Sequence, residues 1–141
     1  MSPSPSPGSE IYSRGDEVTL PNNDNNLENA FTAQEYINVD DSDDVRVTQT
    51  AMTGFAIFQF KDYVTAGSVH VKWEGQTNTS GALSSVFLQV FNQDSGAWET
   101  IDSSNSHAAD ADFLLEADIT NTADYLAANG LMSCRVYQEA V

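Results

Sequence analysis

The sequence predicts an all-β chain folded as an antiparallel β-sandwich, and three observations carry that prediction. Short runs of apolar residues alternate with polar ones, as in 68–74, where Val69, Val71 and Trp73 oppose His70, Lys72 and Glu74. Clusters of Gly, Ser, Asn, Asp and Thr separate these runs at intervals of about ten residues, the spacing of a sandwich of short strands. Almost no stretch carries a helical period.

Taken in order, residues 1–29 read as an extended or flexible N-terminal arm and residues 30–141 as the sandwich domain. The Ser-Pro repeat of positions 2–7 favours polyproline-type backbone and cannot enter a helix or a sheet interior. A short apolar piece at 17–20 precedes 22–26, which is turn and loop chemistry throughout. With Ile11, Tyr12, Val18 and Leu20 as its few apolar anchors, the arm is either ordered by a partner or left as a flexible tail. Arg14-Gly15-Asp16 spells a cell-adhesion tripeptide; so short a match is read as coincidence.

Phe31, Tyr36, Ile37 and Val39 follow, with 36–39 opening the folded domain. Asp40, Asp41, Asp43 and Asp44 then crowd into five positions. Carboxylates so close repel one another, and a hard cation with oxygen ligands, a structural calcium ion, would relieve the repulsion. The glycine and distal glutamate of an EF-hand loop are missing. The other reading is an exposed acidic turn before Val45-Arg46-Val47.

The run 55–64 reads as a strand with Ala56, Phe58 and Phe60 on one face and Phe55, Ile57 and Gln59 on the other. Residues 62–67 turn the chain into the 68–74 strand, and 75–85 is the longest internal loop. In 86–91, Val86, Leu88 and Val90 alternate with Phe87 and Phe91, so the strand is apolar on both faces and belongs inside a sheet. Residues 92–96 form a hairpin turn in which Gly96 supplies φ > 0 and Asp94 caps its own backbone. Trp98 folds back on the preceding strand; Trp73 and Trp98 are read as core rather than as ligand-stacking rings. A second polar loop, 103–111, contains His107. The run 112–119 returns to strand with Phe113, Leu115, Ala117 and Ile119 inward, 122–129 offers one helical turn capped by Gly130, and 131–137 is the last strand. The count is seven or eight strands. Cys134 is the one cysteine, alternating with Met132 and Val136, which predicts a buried free thiol and excludes an internal disulfide.

Asp and Glu outnumber Lys and Arg by 21 to 5, a net charge of -16. Such a surface repels nucleic acid and anionic membranes, so neither is an expected partner, and it suits docking on a basic surface. There is no apolar run of membrane-spanning length, and the opening MSPSPSPGSE has neither the basic start nor the apolar core of a secretory signal. His70 and His107 lack metal-ligand spacing, and there is no nucleophile elbow, phosphate loop or dinucleotide fingerprint. Carboxylates are abundant enough that counting alone does not remove a glycosidase pair. The expectation is that the protein is not an enzyme.

Several positions also carry a resemblance. Trp73-Glu74-Gly75 ends one strand, Phe91-Asn92 with a following Trp98 forms a turn, and Asp124-Tyr125, Gly130 and Arg135-Val136 close the chain. This pattern, over 36–137, resembles the galactose-binding-like jelly-roll modules of phage virion proteins and bacterial surface proteins. The resemblance implies a jelly-roll fold and a binding or structural role, and it brings no ligand residues with it; many such modules hold a structural calcium. The resulting expectation is a non-enzymatic structural protein of a bacteriophage or similar virus, decorating the capsid or forming part of the tail. Its partners would be other virion proteins and copies of itself, and its location the virus particle, assembled in host cytoplasm and then extracellular. The alternative is a carbohydrate-binding module that presents loops 75–85 and 103–111 to a cell-surface glycan.

Overall fold

The computed structural model of the chain describes residues 11–40, 47–50 and 54–140, the side chain of Asp40 excepted. Eight strands and one helix lie in the order β1 (Ile11–Glu17), β2 (Asn29–Ala30), α1 (Ala33–Asp40), β3 (Phe55–Tyr63), β4 (Val69–Gly75), β5 (Val86–Asn92), β6 (Ala97–Ser104), β7 (Phe113–Ile119) and β8 (Leu131–Glu139). A six-stranded sheet, ordered β2-β1-β3-β8-β5-β6, is covered on one face by the two-stranded β4-β7 sheet, and every pairing is antiparallel. The expected all-β sandwich is the observed fold. From β3 onward the chain changes layer at four connections, between β3 and β4, β4 and β5, β6 and β7, and β7 and β8.

The core fills the space between the layers. Tyr12, Phe60, Cys134 and Val90 form one row across the large sheet, and Val86, Leu88, Met132 and Val136 flank it. Val71, Leu115 and Ile119 meet them from the small sheet, with Trp73 and Phe113 packed at the margin. On β4 they alternate with the exposed His70, Lys72 and Glu74, the period-2 pattern of a half-buried strand. As expected, β5 is interior, lying between β8 and β6.

The expected arm is corrected from Ile11 onward. β1 pairs along its whole length with β3, from Ile11 opposite Lys61 to Glu17 opposite Phe55. Its Tyr12 ring is 3% exposed and contacts Phe31, Tyr36 and Phe60. The segment reads as an arm because Ser13, Arg14, Gly15 and Asp16 break the apolar alternation. The sheet tolerates them because Ser13 and Gly15 face a covered outer surface and Arg14 finds Glu35 at 3.1 Å and Gln49 at 3.0 Å. The adhesion tripeptide is thus held in a strand. Residues 1–10, with the Ser-Pro repeat, lie outside the described residues.

The stretch expected to open the domain is helix α1, set by a reciprocal cap. The Thr32 Oγ1 accepts from the Glu35 N–H at 3.2 Å, and the Glu35 carboxylate accepts from the Thr32 N–H at 3.0 Å. Phe31 and Tyr36 staple the first turn, their ring centroids 5.7 Å apart. The expected helical turn at 122–129 is shorter, a single 3-10 turn at Ala123–Tyr125. Gly130 (φ 82°) closes a reverse turn into β8, with its N–H on the Ala127 carbonyl, rather than capping a helix. In the β5–β6 hairpin Gly96 has φ 70° as expected, but the cap is Asn92, whose Oδ1 accepts from the N–H groups of Asp94 and Ser95.

Candidate ligand-binding face

The large sheet has a second face, turned away from the core, and the chain's chemistry gathers there. One residue along from the apolar row, Ser13, Gln59, Arg135, Gln89 and Thr100 form a polar row in register across β1, β3, β8, β5 and β6. All but Thr100 are buried. Buried polar groups must find partners, and here a strap made of residues 20–27 supplies them with its backbone. Gln59 donates to the carbonyls of Asp24 and Asn25 (2.9 and 3.0 Å), Arg135 Nη1 to that of Pro21 (2.7 Å), and Trp98 Nε1 to that of Asn23 (3.0 Å). Ser13 Oγ accepts from the Leu27 N–H at 3.0 Å. The Asp24 carboxylate accepts from Ser133 Oγ (2.8 Å) and Gln93 Nε2 (3.0 Å). The strap bends at 22–23, where Asn23 Oδ1 accepts from the Asn25 N–H, and this turn chemistry presents its carbonyls to the sheet.

Trp98 belongs to this face. It is half-buried and stands outside the core cluster, edge-on to Phe91 with centroids 5.1 Å apart. The expectation that it folds back on β5 holds; the expectation that it is core does not, because Phe91 points away from the inner layer. Trp73 does pack against the core cluster, beside Phe113 at 5.4 Å.

Arg135 is 3% exposed, with its guanidinium 4.2 Å from the Trp98 ring centroid and 5.4 Å from that of Tyr137. Its Nε donates to Gln89 Oε1 at 2.8 Å. Burial pushes its pKa down to about 10. A cavity of about 270 Å³ opens beside it, lined by Leu20, Pro21, Trp98, Arg135 and their neighbours.

On the other side of Tyr137 the face continues without a strap among the described residues. Phe87 and Tyr137 are cross-strand partners with rings stacked at 5.0 Å and 23°, and Phe55 meets Tyr137 edge-on at 5.8 Å. All three rings are half-exposed. With Leu83, Ser84, Ser85 and Glu139 they bound an open cavity of about 430 Å³. The rim is fixed by Ser84 Oγ donating to the Glu139 carbonyl (2.7 Å) and Gln138 Nε2 donating to the Ser84 carbonyl (3.1 Å).

The two polar loops that the alternative reading presents to a glycan also bond to each other. The Gly81 N–H donates to the His107 carbonyl, and the Asp110 N–H to the Thr77 carbonyl. His107 is buried, its ring stacked on Phe113 at 4.1 Å. Its Nδ1 lies 2.9 Å from Ser104 Oγ, and its Nε2 faces Thr77 Oγ1 and the Thr79 carbonyl at 3.2 and 3.3 Å. The Thr79 carbonyl can only accept, so Nε2 donates to it. His107 is a loop staple. On the outer side of the small sheet His70 sits between Asp118 (2.6 Å) and Glu116 (3.0 Å), one on each ring nitrogen, so the three do not converge on a common point.

Of the expected calcium ligands, Asp40 ends α1, its side chain outside the described residues, and Asp41, Asp43 and Asp44 lie outside them entirely. Among the described residues no group of three His, Cys, Asp or Glu side chains could hold a metal ion. Cys134 is a buried free thiol as expected, its pKa pushed up to about 12 by burial. No described helix is long and apolar enough to cross a membrane.

Neither the curated proteins nor the solved structures include a match to this chain. A protein-family model does match, over residues 8–141, which takes in both the strap and the sandwich. The chain belongs to that family, AF_1625_C, described as "Uncharacterized protein, C-terminal domain".

Proposed function

We propose that the domain is a non-enzymatic recognition module that binds a cell-surface glycan on the outer face of its large sheet. The observation that carries this reading is the shelf of Phe55, Phe87 and Tyr137, three half-exposed rings rimmed by Ser84, Ser85 and Glu139. Sugar rings present apolar C–H faces that pack on aromatic surface and hydroxyls that need donors and acceptors, and this cavity offers both. The site is therefore the sheet face, and the loops 75–85 and 103–111 are its scaffold. The likeness to galactose-binding jelly-roll modules belongs to the same reading, supported by the chain's four passages between layers. A glycan array with the wild type and Phe87→Ala tests it. The expected outcome is a discrete set of bound glycans whose signal falls at least about tenfold in the variant, which still unfolds cooperatively. A blank array, or equal binding by a folded Phe87→Ala, would overturn it.

The net charge of -16 favours a second reading, a structural protein of a virus particle docked on a basic capsid or tail surface. Residues 11–17 of the expected arm are paired with β3 and are not free for that contact. Copurification with particles tests it. In either reading Asp40, Asp41, Asp43 and Asp44 are proposed calcium ligands; a melt that rises in millimolar calcium relative to EDTA is expected, and identical melts would remove the ion.

A further inference from the structure

We propose that the cavity beside Arg135 receives a carboxylate, so that the ligand of the aromatic shelf is an acidic sugar; this rests on the shelf reading above. The argument starts from charge. Lys and Arg number only five in the chain, and among the described residues Arg135 is the one buried in the middle of a sheet. Burying a cation without an anion is costly, and proteins ordinarily pair such groups with a carboxylate. Among the described residues none pairs with this one. Its contacts are two neutral oxygens, on Gln89 and Pro21, and two ring faces, on Trp98 and Tyr137. Nε and Nη1 are used, and Nη2 makes no hydrogen bond with any described residue.

The surroundings then fix the kind of group that would complete the site. Two aromatic rings lie against the guanidinium, Trp98 at 4.2 Å and Tyr137 at 5.4 Å, and its Nη2 is the donor left for a carboxylate, which accepts from guanidinium N–H groups. The cavity there, about 270 Å³, is lined by Leu20, Pro21, Trp98 and Arg135 and holds no acidic side chain among the described residues. Tyr137 joins the two halves of the face. Its ring lies 5.4 Å from the Arg135 guanidinium and 5.0 Å from Phe87 on the shelf. A sugar ring packed on the shelf with its carboxylate turned toward Arg135 would use both. The strap's role follows, since Pro21 holds Nη1 and thereby sets which edge of the guanidinium stays open.

The test compares a methyl glucuronide with its carboxamide, which has the same shape and no charge, by titration calorimetry and by NMR of the Trp98 indole N–H. Both are applied to the full chain. The expected result is at least about tenfold tighter binding of the acid, the scale of one charge-assisted hydrogen bond, with a shift of the Trp98 signal. Arg135→Gln should abolish that preference; if it does not fold, the acid-to-amide comparison in the wild type stands alone. Equal affinity for acid and amide would overturn the carboxylate site and leave the shelf intact. Failure of both to bind, together with a blank glycan array, would overturn the shelf and this inference with it.

Discussion

The two faces of the six-stranded sheet are made by the same strands and held by different physics. On the inner face Tyr12, Phe60, Cys134 and Val90 meet the β4-β7 layer through apolar contact, which is non-directional and scales with area. One residue further along, Ser13, Gln59, Arg135 and Gln89 face the strap, several of them bonding its backbone groups directly, which is directional and specifies a path. The inner face supplies stability, and the outer face places one segment of chain at one height over the sheet. That division explains why the cavities and the shelf lie outside. A surface built from hydrogen bonds can leave a cation open to a small cavity, whereas an apolar layer cannot.

The contrast is most easily broken in the inner layer. Leu88 is 1% exposed within the core cluster, so Leu88→Ala should cost about 2–5 kcal/mol, read as a fall in the denaturant midpoint. A loss under about 1 kcal/mol would mean that the inner layer is not the principal core. Cys134 reports on the same layer without a mutation. Its thiol is buried with its pKa pushed up to about 12, and the thiolate is the reactive form. A thiol reagent at neutral pH should leave the native protein untouched and modify it in step with unfolding. Rapid labelling under native conditions would contradict the burial of β8.

The outer face should respond less, and cooperatively. Asp24→Ala strands the buried Ser133 hydroxyl and the Gln93 amide, at a cost of about 1–3 kcal/mol. Trp98→Ala removes a hydrogen bond to Asn23, the ring contact with Phe91 and the cation contact with Arg135, together about 2 kcal/mol, below the range for a core tryptophan. Because both variants free the same strap, the double variant should cost less than their sum. Strict additivity would show that residues 20–27 do not act as one unit.

Of the two faces, the inner one is legible in the sequence. Alternation in β3, β4, β5, β7 and β8 marks Phe60, Val71, Leu88, Leu115 and Cys134 as core, because burial against one layer imposes a period of two. The strap is not legible, since carbonyls of Pro21, Asn23, Asp24 and Asn25 do its bonding and every residue has a carbonyl. Gln59 in an otherwise apolar strand and Arg135 in an apolar run are the available signals, as polar side chains where alternation predicts a covered face. Thr32-Ala33-Gln34-Glu35 is a capping box, the local signal that makes 33–40 a helix where alternation alone suggests none. The shelf has no local signal, because Phe55, Phe87 and Tyr137 come from three strands that only the register of β3, β8 and β5 brings together.

The smallest expected effect lies on the outer side of the small sheet, at His70, and it sharpens the comparison by showing what a fully solvated polar cluster contributes. The Asp118 hydrogen bond, and after it that of Glu116, raises the His70 pKa above its ordinary 6.5. A group whose pKa is higher folded than unfolded stabilises the fold below the unfolded value, and that contribution disappears as pH rises through the folded value. The contribution of His70 should therefore be full up to about pH 6.5 and be lost above it, and that loss should shrink in high salt, where exposed pairs are screened. An NMR titration of the His70 ring checks the origin. The midpoint should lie above 6.5 in the wild type and drop further in Asp118→Asn than in Glu116→Gln. A midpoint indifferent to Asp118 would place the cause elsewhere, and a pH dependence as large as the loss at Asp24 would mean that this exposed cluster, too, is part of what holds the sandwich closed.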